Sequence, residues 1–316
     1  MTADTLPYLS GERLQGLGIT TAEVVESIEH LLREQSRSRA WSAPKPSIKT
    51  PDGRYLMATL SAADDPSFMA VKALHLNPRN PDRGLPAINS VVILHDGDTG
   101  APLAVLEGNW ITAVRTAGLS VLAAKRLARP ASAVAAFIGC GVEARSHLDA
   151  FAASFPLREI RAFGRGSANR DALCRIAAAN GLKAVASGTA RDAVTGADIV
   201  ISTVPLTPKP TPFLDARWLA PGAFATMIDL ALPWLPETMS AFSRIVIDDR
   251  QQEAAMPEPM VAPQLVTGDV ADLLDGRVAG KSTNDERSAF VFRGMGLADL
   301  ALAALAYRRC GRTTDH

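Results

Sequence analysis

A glycine-containing turn between an apolar strand and a helix constrains this chain more than any other feature. Residues 135–144 read AAFIGCGVEA, in which Gly139, Gly141 and Ala144 form a GxGxxA pattern. The pattern is weak alone, but a preceding strand and a following helix are the context in which such turns bind dinucleotides. Gly139 permits the tight turn, Gly141 lets the backbone approach a pyrophosphate, and Ala144 allows close packing of helix on sheet. The alternative interpretation is an ordinary tight turn.

The segments around this turn predict the class of the second half of the chain. Between residues 116 and 289, continuous apolar runs such as SAVAAFIG, EIRAFG and ADIVISTV alternate with helices. Runs of this kind are typical of a parallel sheet that is covered on both faces. We therefore predict an α/β protein in which residues 116–289 form a Rossmann-type doubly wound parallel sheet.

Residues 1–115 have a different pattern. A helix is predicted over residues 20–38, with Thr20 and Glu23 as its capping box. Short alternating strands follow, and two apolar runs flank DGDTG, which is a hairpin signal. These observations predict an α+β domain with an antiparallel sheet, to which a helix within residues 290–316 returns.

Composition excludes several classes of function. The 316 residues allow two domains, and Lys plus Arg equals Asp plus Glu at 33 each, so a global basic field for nucleic acid or anionic membrane is absent. The first residues lack the pattern of a secretory signal, and no apolar stretch is long enough to span a bilayer. We expect a cytoplasmic protein with neither nucleic acid nor membrane as a partner. Three scattered cysteines and five unclustered histidines predict no disulfide framework and no metal site.

The end of the second parallel strand bears on the choice of dinucleotide. NAD-specific sites usually place an Asp or Glu there, but the stretch from Arg161 to Arg170 contains no acid. Arg165 and Ser167 would instead hold a 2′-phosphate, with Arg170 behind them. A solvated basic helix start is the alternative. On this basis we favour NADP(H) as the cofactor, with NAD(H) as the second choice.

Three polar residues lie at positions where a substrate would bind. Lys72 shares its strand phase with Leu74 and Leu76, where an amine is costly without an anionic partner. From the residues alone, the favoured interpretation is a strand edge whose amine reaches solvent. Arg115 is placed at the start of a helix, where it would clamp a carboxylate with help from the helix N-terminus, or form an interdomain salt bridge. Asp229 ends an apolar strand, and is either a proton donor or acceptor at the ligand crevice or a turn cap.

The chain resembles the ornithine cyclodeaminase/mu-crystallin family over nearly its whole length. The resemblance rests on motifs in a fixed order: GLP, LHDGDTGAPLA, ITAVRTA, the GxGxxA turn, GADIVISTV, LAPGAF and FRGMGLAD. It implies a homodimer formed through the first-domain sheets, with residues 1–115 and 290–316 as the dimerisation and substrate domain. It also implies hydride exchange between a nicotinamide and the α-carbon of a small amino or imino acid.

The resemblance assigns roles to particular residues. Lys72 and Arg115 look like the pair that engages the substrate carboxylate and the reacting nitrogen, and Lys45 stands where many members have an arginine on that carboxylate. Asp229 matches the acid that acts on the α-amino group, the attacking amine or water, and we take Lys72 and Asp229 as the catalytic candidates. Arg54, beside the early turn, is a further substrate-binding candidate. The cofactor-binding candidates are Thr112, Gly139, Gly141, Val142, Glu143, Ala144, Arg165, Ser167, Thr203 and Val204.

Two departures from the family pattern decide between activities. The stretch RYLMATL (54–60) lacks the glutamate that cyclodeaminases carry there, and Glu143 replaces a usual glutamine. The missing acid favours a reductase of a cyclic or open imino acid, of the pyrroline-2-carboxylate or ketimine type, or an amino acid dehydrogenase. Asp229 favours the alternative, an ornithine cyclodeaminase that forms proline and ammonia with catalytic NAD. A third reading, a non-enzymatic NADPH-bound small-molecule binding protein, is opposed by intact Lys72, Arg115 and Asp229.

Overall fold

The computed structural model describes residues 6–206, 210–281 and 285–313. The chain divides into two compact units: the first comprises residues 1–115 and 295–316, and the second comprises residues 116–294. Among the described residues, no helix combines the length and the apolar character needed to cross a membrane.

The helices and strands have the following bounds. The helices are α1 (Gly11–Gln15), α2 (Thr21–Ser36), α3 (Gly108–Leu127), α4 (Val142–Ala152), α5 (Ser167–Ala179), α6 (Ala190–Val194), α7 (Arg250–Ala254), α8 (Val270–Leu274) and α9 (Gly296–Thr313). The strands are β1 (Tyr8–Leu9), β2 (Ala40–Ser42), β3 (Ser47–Lys49), β4 (Tyr55–Asp64), β5 (Ser67–Leu76), β6 (Ile88–Asp96), β7 (Pro102–Glu107), β8 (Val134–Ile138), β9 (Glu159–Phe163), β10 (Lys183–Ala186), β11 (Ile199–Ser202), β12 (Phe224–Met227), β13 (Arg244–Ile247), β14 (Val266–Asp269) and β15 (Ser288–Val291).

The sheet of the first unit is built from antiparallel neighbours. Its strand order is β1-β7-β6-β5-β4-β2, with β3 also paired to β4. The predicted antiparallel sheet is confirmed, and β1 adds to it in parallel beside β7. The helix α9 packs against α2 and against β4 and β5. The predicted capping box is also present, since Thr20 and Glu23 exchange hydrogen bonds at the start of α2.

Successive side chains along β4 and β5 point to opposite faces of this sheet, and the two faces differ in character. Thr59 on β4 lies opposite Lys72 on β5, and both side chains are buried on the face that α9 covers. The next cross-strand pair, Leu60 and Val71, points to the other face, where Leu60 is 42% exposed. A polar pair therefore lies inside the first unit, while apolar side chains lie outside it.

The second unit confirms the Rossmann-type prediction. Its strands pair in parallel in the order β10-β9-β8-β11-β12-β15-β13-β14. The chain moves outward from β8 to β9 and β10, and then returns to the other side of β8 with β11 and β12. This reversal of order beside β8 is the topological switch point at which open α/β sheets bind ligands. Phe137, Phe224 and Phe290 are fully buried in this sheet.

One predicted element differs in the structure. The segment FVFRGMGLADLALAALAYRR (290–309) was predicted to be a helix, but the apolar residues up to Val291 complete β15, which lies between β12 and β13. The helix begins only at Gly296, because the run from Ser288 to Val291 is fully buried as a strand. The boundary between the two units accordingly falls at residues 294 and 295.

Candidate functional site

A buried cluster of three charged side chains lies inside the first unit. Lys72 Nζ is 2.8 Å from each carboxylate oxygen of Asp299. Arg115 Nε is 2.8 Å from Asp299 Oδ1 and pairs with it by charge rather than along the N–H direction. The Thr59 hydroxyl donates to Asp299 Oδ2 at 3.3 Å. All four residues are buried, so these charges interact in an environment of low dielectric constant.

Three elements bring the cluster together. Lys72 comes from β5, Arg115 from α3, and Asp299 from the first turn of α9. The start of α9 lies close to β4, since a Cβ added at Gly296 would lie 3.4 Å from the carbonyl oxygen of Leu60. This close approach places the Asp299 carboxylate against the sheet, and the first turn of a helix is also where a carboxylate is favoured by the helix dipole.

Two predictions about this cluster were wrong. Lys72 does not lie at a strand edge with its amine in solvent, because β5 is paired on both sides and the side chain is 2% exposed. Arg115 does not start a helix, because α3 begins at Gly108, two turns earlier. The helix N-terminus therefore gives Arg115 no assistance, and its anionic partner is Asp299.

The electrostatics leave Asp299 ionised and Arg115 able to bind a further anion. Burial acts to raise the pKa of Asp299, but the charges of Lys72 and Arg115, with Lys45 farther away, hold it below its ordinary value. Arg115 Nη1 is buried and has no hydrogen-bond acceptor among the described residues. A buried guanidinium N–H without an acceptor is costly, so this donor is suited to an acceptor group of a ligand.

The other predicted substrate residues have different surroundings. Lys45 acts on Asp299 through its charge. Arg54 pairs with Asp52 at 2.9 Å on the turn before β4, and Asp52 also receives Arg79 at 2.7 Å. The structure therefore gives Arg54 a local partner, and its role in substrate binding stays a prediction.

The glycine turn of the second unit has the geometry expected of a dinucleotide-binding turn. Gly139 has φ +91°, and a Cβ there would lie 2.5 Å from the carbonyl oxygen of Thr203. At Gly141 a Cβ would meet nothing within 4 Å, so the backbone here is open to a close approach. The N-cap residue of α4 is Gly141, which makes no side-chain capping hydrogen bond, and Ala144 is fully buried.

Asp229 lies just after β12 in the second unit. Its Oδ2 accepts hydrogen bonds from the Ser202 hydroxyl at 2.7 Å and from the Val204 N–H at 3.0 Å. Its Oδ1 is buried and has no partner of good geometry among the described residues. Burial raises the pKa of Asp229 to about 7, even though these hydrogen bonds act to lower it.

A tryptophan fixes the direction of the hydrogen bond to Asp229. The Trp234 indole N–H, which is only a donor, donates to Ser202 Oγ at 3.1 Å. Ser202 then directs its own hydrogen to Asp229 Oδ2. The two residues that follow Asp229, Leu230 and Ala231, both have φ +58°, a left-handed conformation that non-glycine residues adopt at a cost.

The remaining predicted cofactor residues are found as follows. Thr203 donates through its hydroxyl to the carbonyl oxygen of Gly139 at 3.2 Å. Arg165 and Ser167 are exposed around the start of α5, while Arg170 pairs with Asp171 at 2.9 Å. Thr112 lies in the first unit, 3.5 Å from Lys72 Nζ.

Sequence reasoning missed Asp299, Ser202 and Trp234. Asp299 is the last residue of the motif FRGMGLAD, an acid in the first turn of a helix, and this was the one available signal for it. Nothing in the local pattern distinguished Ser202 or Trp234 from other polar and aromatic residues near a strand end.

The parallel sheet, its switch point and the open glycine turn place this protein in the Rossmann class of dinucleotide-binding folds. Within that class, the chain belongs to the ornithine cyclodeaminase/mu-crystallin family, whose model matches residues 14–313. The resemblance seen in the sequence motifs is thereby confirmed.

Relatives of the chain include enzymes of amino and imino acid chemistry. Ketimine reductase mu-crystallin of Mus musculus is 31% identical over 258 residues, which cover 80% of this chain and 79% of the relative. The structure of Thermococcus litoralis Δ1-pyrroline-2-carboxylate reductase in complex with NADH and L-proline is 27% identical, with a TM-score of 0.89 over 98% of each chain. An archaeal alanine dehydrogenase dimer with bound NAD is 25% identical, with a TM-score of 0.88 over 98% of this chain and 97% of that chain.

Proposed function

We propose that this protein is an NAD(P)-dependent oxidoreductase of small imino or amino acids. It reduces a cyclic or open imino acid of the pyrroline-2-carboxylate or ketimine type, or oxidises the corresponding amino acid, by hydride transfer at the α-carbon. The observation that carries this proposal is the buried pair of Lys72 and Arg115, in which Arg115 Nη1 is a cationic donor without an acceptor among the described residues. Such a donor fits a substrate carboxylate.

The chain's own residues bind the substrate and handle the proton. Lys72 and Arg115, with Lys45, hold the carboxylate and so fix the orientation of the C=N group. When the imine is reduced, the C=N electron pair moves to nitrogen, which must carry a proton at the end of the reaction. With a pKa of about 7, Asp229 is present in both protonation states near neutrality, and we assign the exchange of this proton to its carboxyl group.

The glycine turn fits a dinucleotide. Gly141 leaves room beside its backbone, and as the N-cap residue of α4 it makes no side-chain capping hydrogen bond to the N–H groups of the first turn. We assign pyrophosphate binding to Gly139 through Ala144, with Thr203 and Val204 on the neighbouring strand end. A bound nicotinamide supplies or accepts the hydride.

We propose NADP(H) as the preferred dinucleotide. Arg165 is exposed at the end of β9, next to Ser167, and forms no ion pair with any described residue. A guanidinium in this position suits a 2′-phosphate. Residues 161–170 contain no Asp or Glu that would bind the ribose hydroxyls of NAD. Replacement of Arg165 by Ala should raise the Kd for NADPH on the order of tenfold or more, the loss of one charge-assisted contact, and leave the Kd for NADH almost unchanged.

The proposal is tested by a paired assay on the purified protein. Consumption of NADPH or NADH is followed with pyrroline-2-carboxylate and piperideine-2-carboxylate, and release of ammonia is followed from L-ornithine with catalytic NAD. Cofactor consumption without ammonia release supports the reductase. Turnover of none of these compounds, despite tight NADPH binding, contradicts it and supports a non-enzymatic binding protein.

A second candidate function is ornithine cyclodeaminase, which the presence of Asp229 favours. Against it, β4 carries no acid near its start to meet a second substrate amine, since residues 54–60 read RYLMATL. Ammonia and proline formed from L-ornithine with no net change in cofactor would establish this alternative and overturn the reductase.

We also propose that the protein is a homodimer. The exposed face of the first-unit sheet carries apolar side chains such as Leu60 and Met69, which are 42% and 46% exposed. A contiguous apolar surface of this kind is unusual on a monomer. The dimeric archaeal alanine dehydrogenase, which is similar to this chain, supports the same assembly.

A further inference from the structure

We propose that Asp299 is a positioning residue that turns Lys72 and Arg115 into one preformed receptor for a single carboxylate. This inference rests on the proposed function for the identity of the ligand, an imino or amino acid. It concerns a residue to which the sequence analysis assigned no role. The receptor is defined here as Lys72, Arg115 and Asp299.

The contacts of Asp299 account for both of its oxygens. Asp299 Oδ1 contacts Lys72 Nζ and Arg115 Nε, and Oδ2 contacts Lys72 Nζ and the Thr59 hydroxyl, all within 3.3 Å. The residue is 1% exposed, so water does not compete for these contacts. One carboxylate therefore fixes side chains from β5 and α3, whose positions would otherwise depend on two long flexible chains.

The charges of the receptor add to one net positive charge. Lys72 and Arg115 are cations, and Asp299 is an anion because both cations hold its pKa low. Without Asp299, two cations would be buried next to each other, which is strongly unfavourable. With it, the surplus charge is that of one cation, and a substrate with one carboxylate neutralises it. Lys45 adds a further positive charge at longer range.

The consequence is a specific role for Asp299 in the protonation of Lys72. The charged groups that act most strongly on Asp299 are Lys72 from β5, Arg115 from α3 and Lys45 from the segment before β3, and all of them are cations. Asp299 is the anion that Lys72 and Arg115 share. Its removal exposes the Lys72 ammonium to two cations and to burial, so the neutral amine is favoured and the receptor loses a donor as pH rises.

The test compares Asp299→Asn with the unaltered protein in binding of pyrrole-2-carboxylate, a stable monoanion. Both proteins are saturated with the dinucleotide they bind, and the Kd is measured by calorimetry between pH 6 and pH 9. The ratio of the two Kd values is expected to grow with pH by up to about tenfold per unit, the slope of one coupled proton. Comparison at each pH removes the contribution of Asp229, which both proteins share.

Two further variants separate this role from a purely structural one. Lys72→Met leaves the receptor with no net charge and should bind the anion poorly. The double variant Lys72→Met/Asp299→Asn restores one net positive charge on Arg115, so it should bind more tightly than Lys72→Met and show no added dependence on pH. Thr59→Val, which removes a hydrogen bond to Asp299 but keeps every charge of the receptor, should show the same dependence of Kd on pH as the unaltered protein.

The outcomes are distinguishable from those of the functional assay. Parallel pH dependence of Kd in Asp299→Asn and the unaltered protein overturns the inference, whether or not an imino acid is turned over. If Asp299→Asn does not fold, a double variant that binds no better than Lys72→Met overturns it. If no imino acid reacts but the expected binding pattern is found, the receptor stands and the proposed reaction fails.

Discussion

The pKa values of two buried aspartates, Asp229 and Asp299, are shifted in opposite directions because different groups surround their carboxylates. Burial acts to raise the pKa of both. Around Asp299, the charges of two cations outweigh the effect of burial, so the pKa is lowered and the carboxylate stays ionised. The hydrogen-bond donors to Asp229 among the described residues are neutral, so burial prevails and the pKa rises to about 7. Carboxylates whose pKa values are pushed apart are a recognised mark of divided roles. In the proposed function, Asp299 holds its charge and Asp229 exchanges a proton.

The raised pKa of Asp229 predicts how stability changes with pH. Since the folded pKa of about 7 exceeds the unfolded value of 3.8, the folded state binds the proton more tightly. This contribution to stability is fully present below about pH 4 and is lost as pH rises through about 7. Relative to Asp229→Asn, which lacks the titrating group, the unaltered protein should lose about 4 kcal/mol of unfolding free energy over this range.

The measurement is urea unfolding of both proteins at several pH values between 4.5 and 8. Effects of all other titrating groups appear in both proteins and cancel in the difference. A difference in unfolding free energy that stays constant with pH would show that Asp229 ionises at its ordinary pKa, and its assignment as a proton exchanger near neutrality would fail with it.

At this scale the sequence predicts residue identities better than residue partners. Lys72, Arg115 and Asp229 were all singled out from the sequence, and the structure shows that all three are buried; their roles stay predictions. The counter-ion of Lys72 was not found, because Asp299 lies 227 positions away in the chain. Strand phase shows that an amine points inward, but only the packing of α9 on the sheet shows which anion it meets.

At the scale of elements, the start of α4 is held by a buried chain of hydrogen bonds. Thr226 donates to Ser120 at 3.0 Å, Ser120 lies 2.9 Å from His147 Nε2, and His147 Nδ1 lies 2.7 Å from the carbonyl oxygen of Glu143. Burial lowers the pKa of His147 to about 4, so the ring is neutral. It donates through Nδ1 and accepts through Nε2. The first turn of α4 is thereby tied to β12 and α3.

The two glycines before this turn predict a matched pair of variants. Gly139→Ala places a Cβ 2.5 Å from the Thr203 carbonyl oxygen in a left-handed conformation, and should cost about 1–3 kcal/mol of stability. Gly141→Ala meets nothing within 4 Å and should leave stability unchanged. Both should weaken dinucleotide binding, on the order of tenfold or more, because both disturb the surface that faces the pyrophosphate.

Stability is followed by urea denaturation and binding by quenching of the protein's fluorescence. The informative result is the split between the two variants: lost stability for Gly139→Ala alone, and lost binding for both. Normal dinucleotide binding by a folded Gly141→Ala protein would contradict the assignment of this turn.

Elements with a strong local signal were predicted well, and an ambiguous one was not. The capping box of α2 and the hairpin at DGDTG depend on neighbouring residues, and both are present. The run that ends at Val291 is apolar and lies four residues before the start of α9, so its local pattern fits helix or strand equally. The run forms a strand because it pairs with β12 and β13. A local sequence pattern contains no information about such long-range pairing.

At the scale of the whole molecule, the central sheet of the first unit divides its chemistry between two faces. The face under α9 carries Thr59 and Lys72, which reach Asp299. The opposite face carries apolar side chains from three neighbouring strands, including Leu60, Val71 and Ile93, which are next to one another in register. A shift of one residue in register would exchange these faces, so the proposed substrate binding and the proposed assembly both depend on the same strand pairing.

The proposed dimer predicts that one charge on the outer face breaks the assembly. Leu60→Glu puts a carboxylate at the centre of this face, where association would bury it without a partner at a cost of several kcal/mol. We expect a monomer of about 33.4 kDa by light scattering after size-exclusion chromatography, against twice that mass for the unaltered protein. Leu85→Glu, at a residue that is 53% exposed in the loop after β5, is the control and should leave the mass unchanged.

The same variant tests whether assembly and catalysis are coupled. Leu60 points away from Lys72 and Asp299, so a folded monomer should keep the receptor and bind pyrrole-2-carboxylate with nearly the Kd of the unaltered protein. Loss of binding together with the dimer would mean that the second subunit completes the substrate site. An unaltered mass for Leu60→Glu would instead exclude this sheet face as the interface, because a buried and unpaired carboxylate is incompatible with an intact dimer.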